Sequence, residues 1–252
     1  MDKGVLVVTG GSRGIGAATA RLAARRGYAV LVNYAASADA AQAVCADIHA
    51  QGGAAAAVRG DVSLEADIDH VFAAADRMGR LAGLVNNAGV IDEPARVEAF
   101  DVARLNRMFA VNTLGTILCS GRAVRRMSTR HGGRGGAIVN ITSAAAKLGA
   151  PGTYVDYAAA KGAVDSFTVG LALEVADEGI RVNGVRPGII DTEFHASGGD
   201  PDRARRLAAG LPIPRAGTAE EVAQAVLWLL SDEASYTTGT VIDVTGGRGI
   251  RP

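Results

Sequence analysis

The sequence predicts one doubly wound α/β domain, a parallel sheet of seven strands covered by helices on both faces. Short β-branched runs alternate without a break with longer alanine-rich stretches of helical period, which is the pattern such a sheet leaves. Of the 252 residues, 48% are hydrophobic and 21% charged, so the chain holds enough apolar surface for a sizeable core. Glycine occurs 33 times, nearly twice its usual share of about 7%, and implies many tight turns and close backbone approaches. No Pro-, Ser- or charge-rich linker and no repeat of fixed period divides the chain, so a single domain over 1–252 is expected rather than two.

The apolar run at 5–9 is the first strand; it is far too short for a signal segment or a membrane span. A glycine-rich turn then opens a helix over 14–26, followed by a strand at 29–33 and a helix over 38–50 for which Ser37 is the expected N-cap. Strand 54–60, helix 64–78 and strand 83–86 come next. One long helix is expected over 102–127, then strand 137–141, helix 154–178, strand 181–185, helix 219–230 and strand 240–243. The one irregular stretch, 192–215, holds Gly198-Gly199, Pro201, Pro212 and Pro214 around a short charged helix at 202–209, and is read as a movable flap.

Lys plus Arg and Asp plus Glu both number 26, so no global positive field gathers nucleic acid or anionic membrane. Small molecules are the expected partners. Cys45 and Cys119 are far apart and form no CxxC pair, which points away from a disulfide framework or a zinc site and towards a cytoplasmic protein. His49, His70, His131 and His195 lack metal-ligand spacing, so no metal is expected; only His195, on the flap, is positioned to meet a substrate.

Thr9-Gly10-Gly11-Ser12-Arg13-Gly14-Ile15-Gly16 follows the first strand and opens the first helix. Glycines there permit the tight turn and the approach of backbone to a pyrophosphate, while the helix N-terminus attracts the anion. The spacing Gly10, Gly14, Gly16 is not GxGxxG, but its place at the first strand-to-helix turn predicts a dinucleotide. An acidic residue roughly 20 positions on accepts the ribose hydroxyls of NAD. Here the second strand ends in Asn33-Tyr34 with no carboxylate, and Asp39 belongs to the next helix. A 2′-phosphate meets no repulsion and Arg13 can pair with it, so NADP(H) is favoured, with NAD(H) the alternative.

Tyr157 and Lys161 are four apart in a helical stretch and project from one face. A tyrosine titrates near pH 10, roughly, so it needs a cation that stabilises the phenolate; Lys161 is the expected one.

With these residues in place, the sequence resembles the short-chain dehydrogenase/reductase family over essentially the whole chain. The glycine loop matches its TGxxxGxG, Asn86-Asn87-Ala88-Gly89 its NNAG, and Tyr157 to Lys161 its YxxxK. Ser143, 14 positions before Tyr157, stands where the family places its substrate-orienting serine, and is preferred to Thr142, which alternates to the other side of the strand. Asn112 matches the helix asparagine of the family's tetrad. Pro187-Gly188-Ile189-Ile190-Asp191-Thr192 is similar to its nicotinamide-side PG motif, and Asp61-Val62 to its pair beside the adenine. The Ser143–Tyr157 spacing is one residue longer than the commonest in the family, which is expected to reshape the pocket around 150–156.

The resemblance implies a Rossmann fold and a catalyst that interconverts a carbonyl and a secondary alcohol. Hydride passes to or from the nicotinamide, Tyr157 moves the proton, Ser143 holds the oxygen, Lys161 tunes Tyr157 and binds the ribose, and Asn112 positions a water. It also implies a homotetramer, for which the apolar stretches 163–175 and 222–230 are suited. A small sugar, polyol or ketone is the expected substrate. The alternative is a 3-oxoacyl-carrier-protein reductase, for which Arg122, Arg125, Arg126, Arg130, His131 and Arg134 would greet an acidic carrier; the same run also reads as solvated charge at a helix C-terminus. Leu173 stands where the carrier-protein reductases have an arginine, which lowers that alternative. A non-catalytic dinucleotide-binding regulator is the rival of another class, and the intact set Asn112, Ser143, Tyr157 and Lys161 argues against it. Sugar-nucleotide epimerases differ in glycine spacing and have a longer C-terminal region.

Overall fold

Seven apolar runs lie side by side in the computed structural model, which describes residues 3–249; Met1, Asp2 and residues 250–252, the outer ends of the expected 1–252 domain, lie outside the described residues. The strands are β1 (Val5–Val8), β2 (Ala29–Tyr34), β3 (Ala55–Arg59), β4 (Leu81–Asn86), β5 (Gly136–Ile141), β6 (Ile180–Pro187) and β7 (Val241–Val244). They form one sheet in the order β3-β2-β1-β4-β5-β6-β7, with every neighbouring pair parallel. The order reverses between β1 and β4, so the loops leaving these two strands diverge to opposite faces and leave a crevice at their carboxyl ends.

Both faces of the sheet are covered, which is why β1 is buried at all four of its positions. Alternate residues serve different layers. Leu6 and Val8 pack with α1 (Gly14–Arg25), α2 (Ala38–Ala50) and α10 (Ala219–Leu230), the last held at its start by a capping box between Thr218 and Glu221. Val5 and Val7 pack on the other face with α3 (Glu65–Met78), α5 (Gly115–Met127) and α7 (Val155–Val175).

The helix expected over 102–127 is in fact interrupted. It runs as α4 (Val102–Phe109), a π-helical turn over Ala110–Leu114, and α5. The bulge follows from Asn112, whose Nδ2 donates to Met108 O and Val90 O, both at 2.9 Å, instead of leaving the helix surface. Helix α7 ends earlier than expected, in a 3-10 turn over Ala176–Glu178, and Ser37 stands at the N-cap of α2 without making a side-chain cap bond. Two short helices not foreseen, α6 (Ala145–Leu148) and α8 (Phe194–Ser197), flank the crevice; α9 (Arg203–Ala208) is the charged helix of the irregular stretch.

A buried polar chain crosses the sheet below the crevice. Asn86 and Asn140 are register partners on β4 and β5, and Asn86 Nδ2 donates to Asn140 Oδ1 at 2.8 Å and to Ser120 Oγ at 2.9 Å. Asn140 Nδ2 donates in turn to Thr168 Oγ1 at 2.9 Å. Ser120, given no chemical role by the sequence, thus has a structural one. Replacing Asn140 by alanine removes one hydrogen bond each from Asn86 Nδ2 and Thr168 Oγ1, which keep Ser120 Oγ and Val164 O as partners. Asn140→Ala is expected to lower the unfolding free energy by about 1–3 kcal/mol, read from urea titration, the range for losing two hydrogen bonds of roughly 0.5–1.5 kcal/mol each.

Candidate active site

The crevice is a cavity of about 700 Å3 along the carboxyl ends of the strands. One wall is the loop between β1 and α1. Gly10 and Gly14 take φ values of +60° and +51°, and a Cβ on Gly16 would lie 2.4 Å from Gly10 O, so the loop closes on itself with backbone alone. The end of β4 clamps it: Asn87 Nδ2 donates to Thr9 O and Gly10 O at 3.0 and 2.9 Å, and Thr9 Oγ1 accepts from the backbone of both Asn87 and Ala88 at 3.0 Å. Gly10, Ser12, Arg13, Gly14 and Ile15 line the cavity, as do Asn87, Ala88 and Gly89, whereas Gly16 lies beneath the loop and acts in packing.

At the β2 end the lining includes Arg13, Asn33, Tyr34, Asp61 and Val62, while Asp39 is not part of it. Asn33 is fixed by donating Nδ2 to Gly60 O at 2.9 Å, and the Asp61 carboxylate is occupied with the Ser63 backbone and hydroxyl at 2.9 and 2.7 Å. The carboxylate nearest the end of β2 in the lining is therefore Asp61, already bonded within its own turn.

Ser143, Tyr157, Lys161, Pro187, Gly188, Ile190 and Thr192 meet at the middle of the cavity. Helix α7 carries Tyr157 and Lys161 one turn apart, and Ser143 follows β5. Ser143 reaches the Tyr157 hydroxyl and partly offsets burial, which nevertheless pushes the Tyr157 pKa up to about 12. Lys161 Nζ donates to Ile141 O at 2.8 Å and lies 5.8 Å from the Tyr157 ring centroid; burial brings its pKa down to about 8, against the opposing pull of Asp165.

Asn112 is held by the backbone around it. It does not line the cavity, is fully buried, and spends its side chain on Met108 and on both backbone groups of Val90, accepting from Val90 N at 3.1 Å. A Cβ on Gly89 would lie 2.9 Å from Asn112 Oδ1 and 3.8 Å from Lys161 Nζ, so Asn112 stands directly behind the Gly89 wall. In the connection between Ser143 and Tyr157 that is one residue longer than the commonest in the family, Ala150 takes φ +45° and lines the cavity, the one non-glycine positive φ among the described residues.

Sequence reasoning missed Tyr154, Phe194, Arg203 and Arg248, which line the cavity beside His195. It also missed a brace on α7. Asp156, with no side-chain exposure, accepts from Arg104 Nε at 2.7 Å and Nη2 at 3.3 Å, and Arg104 Nη1 donates to Glu93 O at 2.9 Å. The Arg104 guanidinium also covers the Phe100 ring at 4.3 Å. Aspartate in the first turn of a helix was legible in the sequence; an arginine 52 positions away was not. The basic run on α5 is largely neutralised, Arg122 by Glu65 and Asp69, Arg126 by Asp76 and Arg130 by Asp177.

A family model described as enoyl-(acyl carrier protein) reductase matches residues 10–248. The chain is 53% identical over 245 residues to an uncharacterized oxidoreductase, YgfF, of Escherichia coli, covering 97% of this chain and 99% of that protein. It is 38% identical to a 3-oxoacyl-(acyl-carrier-protein) reductase of Synechocystis, covering 96% of each. Among solved structures, a double mutant of a Serratia marcescens short-chain dehydrogenase/reductase matches with a TM-score of 0.90 at 35% identity, with 99% of each chain covered.

Breaking the brace on α7 leaves the partly buried Arg104 guanidinium without its anion. Asp156→Ala is expected to cost roughly 3–5 kcal/mol of stability, seen as a lowered thermal midpoint, because removing one partner of a buried pair exposes the other to an unpaid desolvation.

Proposed function

The chain belongs to the short-chain dehydrogenase/reductase family of oxidoreductases, and on that premise we propose that it interconverts a carbonyl and a secondary alcohol with a nicotinamide dinucleotide. The observation that carries the reading is the convergence of Ser143, Tyr157 and Lys161 in one cavity with the glycine loop. The loop fits the phosphates of such a cofactor: its side-chain-free turn leaves a cradle at the N-terminus of α1, where backbone N–H groups attract an anion. Bound there, the nicotinamide supplies or accepts the hydride.

The chain's own residues handle the oxygen and the proton. In reduction Tyr157, protonated because it is buried, gives its proton to the oxygen as charge builds there, and Ser143 donates a hydrogen bond to the same atom. Lys161 holds a positive charge within the α7 turn that carries Tyr157 and offers N–H donors to the ribose. Asn112 is a positioning residue, holding Val90 and the wall at Gly89 rather than touching the reacting atoms. Asn87, Pro187, Gly188, Ile190 and Thr192 frame the nicotinamide, and Asp61 and Val62 the adenine. Arg13, with no competing β2 carboxylate, supports NADP(H) over NAD(H).

The substrate is a small sugar, polyol or ketone. The name of the Synechocystis relative favours a second reading, a reductase of carrier-bound 3-oxoacyl groups, but the paired arginines of α5 and the exposed Leu173 offer an acidic carrier little free charge. A pure dinucleotide-binding regulator has no use for a buried Tyr–Lys pair. The segment 192–215 closes over the substrate as a flap, and four copies assemble through α5, α7 and α10, whose Ile117, Val169, Leu173 and Trp228 are partly exposed. A cytoplasmic location is supported by two free, buried cysteines, Cys45 and Cys119; among the described residues no helix is long and apolar enough to cross a membrane.

Tyr157→Phe is expected to lower turnover by about 100- to 10,000-fold, the range of general acid–base catalysis, while dinucleotide binding persists. NADPH and NADH oxidation are followed by loss of their absorbance, with fluorescence titration for binding; a mutant that keeps turnover sinks the reading.

The pH profile is a second check. Reduction needs Tyr157 protonated and Lys161 charged, and of the two Lys161 titrates first, at about 8 against about 12. The kcat/KM for carbonyl reduction is therefore expected to be level below Lys161's titration and to fall as pH rises through it. A profile still level well above pH 8 contradicts the assignment.

A further inference from the structure

The cavity has a cationic end that the reading above leaves unused. Arg203 from α9 and Arg248 from the turn after β7 both line it, together with His195. Arg203 lies 5.0 Å from the Tyr154 ring centroid, and the carboxylate paired with it, Asp200, stands 3.8 Å away. Asp200 is committed elsewhere, since its two oxygens accept from Arg206 at 3.0 and 2.5 Å. Arg248 is half-buried, and the charge acting on it is another cation: burial and Arg203 both push its pKa down.

His195 joins the two arginines. Arg203 and Arg248 both act on its ring, opposed by Asp200 and Asp191, and its Nδ1 is buried with no hydrogen-bond partner among the described residues. Glu193 is the one carboxylate lining this end of the cavity, and it is exposed to solvent. Two guanidiniums and an unsatisfied imidazole nitrogen therefore share a partly desolvated space with too little negative charge. That arrangement is unfavourable by itself and becomes favourable when an anion enters between the arginines, because a carboxylate matches the planar guanidinium fork and relieves the repulsion.

Resting on the oxidoreductase reading, we propose that this end of the cavity is an anion subsite, in which Arg203 and Arg248 hold a carboxylate of the substrate while its carbonyl lies at Tyr157. His195 offers the same carboxylate a further hydrogen bond. The substrate class narrows accordingly from a neutral sugar, polyol or ketone to a small oxo-acid, with the hydroxy acid as the product of reduction. Because Arg203 belongs to the irregular stretch and Arg248 to the turn after β7, the anion also ties the flap to the body of the sheet.

The experiment compares NADPH-dependent reduction of straight-chain oxo-acids of increasing length with reduction of their methyl esters. Dihydroxyacetone phosphate serves as the probe for a phosphate in place of the carboxylate. The wild-type chain is expected to favour an acid over its ester by at least about tenfold in kcat/KM. Arg248→Ala and Arg203→Ala are each expected to lower that acid-to-ester ratio by about 10- to 100-fold, the range for losing a hydrogen bond to a charged group, mainly through KM. Arg248→Lys restores part of the ratio, since it keeps the charge without the fork. Equal use of acid and ester, or a ratio that neither alanine variant moves, overturns the subsite and leaves the oxidoreductase reading standing. Preference for the phosphate overturns the carboxylate assignment. Binding of NADPH with reduction of neither acids nor esters overturns the subsite, and the oxidoreductase reading falls with it only when sugars, polyols and neutral ketones are not turned over either.

Discussion

The clamp between the carboxyl ends of β1 and β4 is the constraint on which the rest depends. There the sheet order reverses, and Asn87 and Thr9 join the two loops by bonds to each other's backbone. Because Gly16 has no side chain, the first turn of α1 packs directly against this knot, where a Cβ on Gly16 would lie 2.4 Å from Gly10 O. The same knot fixes Ala88 and Gly89, and behind Gly89 stand Asn112 and Lys161. The glycine loop and Lys161 are therefore held in one frame although they come from opposite halves of the chain.

Burial acts on both ionisable groups inside this frame and is the largest influence on each. A cation near a tyrosine lowers its pKa less the farther away it stands, whereas desolvation depends on how deeply each group is buried. With Lys161 Nζ turned to Ile141 O and 5.8 Å from the ring centroid, desolvation prevails, raising Tyr157 and lowering Lys161. Both shifts favour the uncharged form of the group, and Ser143 alone moves Tyr157 the other way.

The legible parts of the sequence were those whose causes are local. Val5–Val8 reads as a strand because a parallel strand buried on both faces is a continuous apolar run. Tyr157 and Lys161 share a face because they are one helical turn apart, and the glycine loop announces itself by composition. The π-turn at Asn112 was hidden because an inserted residue leaves the apolar period of the flanking helices intact. The Arg104–Asp156 brace and the pair Arg203 and Arg248 were hidden for another reason: each joins segments far apart in the chain, and an arginine facing solvent and one facing a cavity look the same in one dimension.

This division runs along the cavity itself. The half around the glycine loop is built from backbone groups, tight glycines and asparagines that bond backbone, and such positions admit so few residue types that the sequence displays them. The other half is built from side chains on irregular segments, namely Ala150, His195, Arg203 and Arg248, where many residue types are compatible with the backbone. A scaffold of this form can exchange the second half without disturbing the first. The charges carried by the second half therefore hold the information about what is bound there, and in this chain that half carries two arginines against one solvent-exposed glutamate.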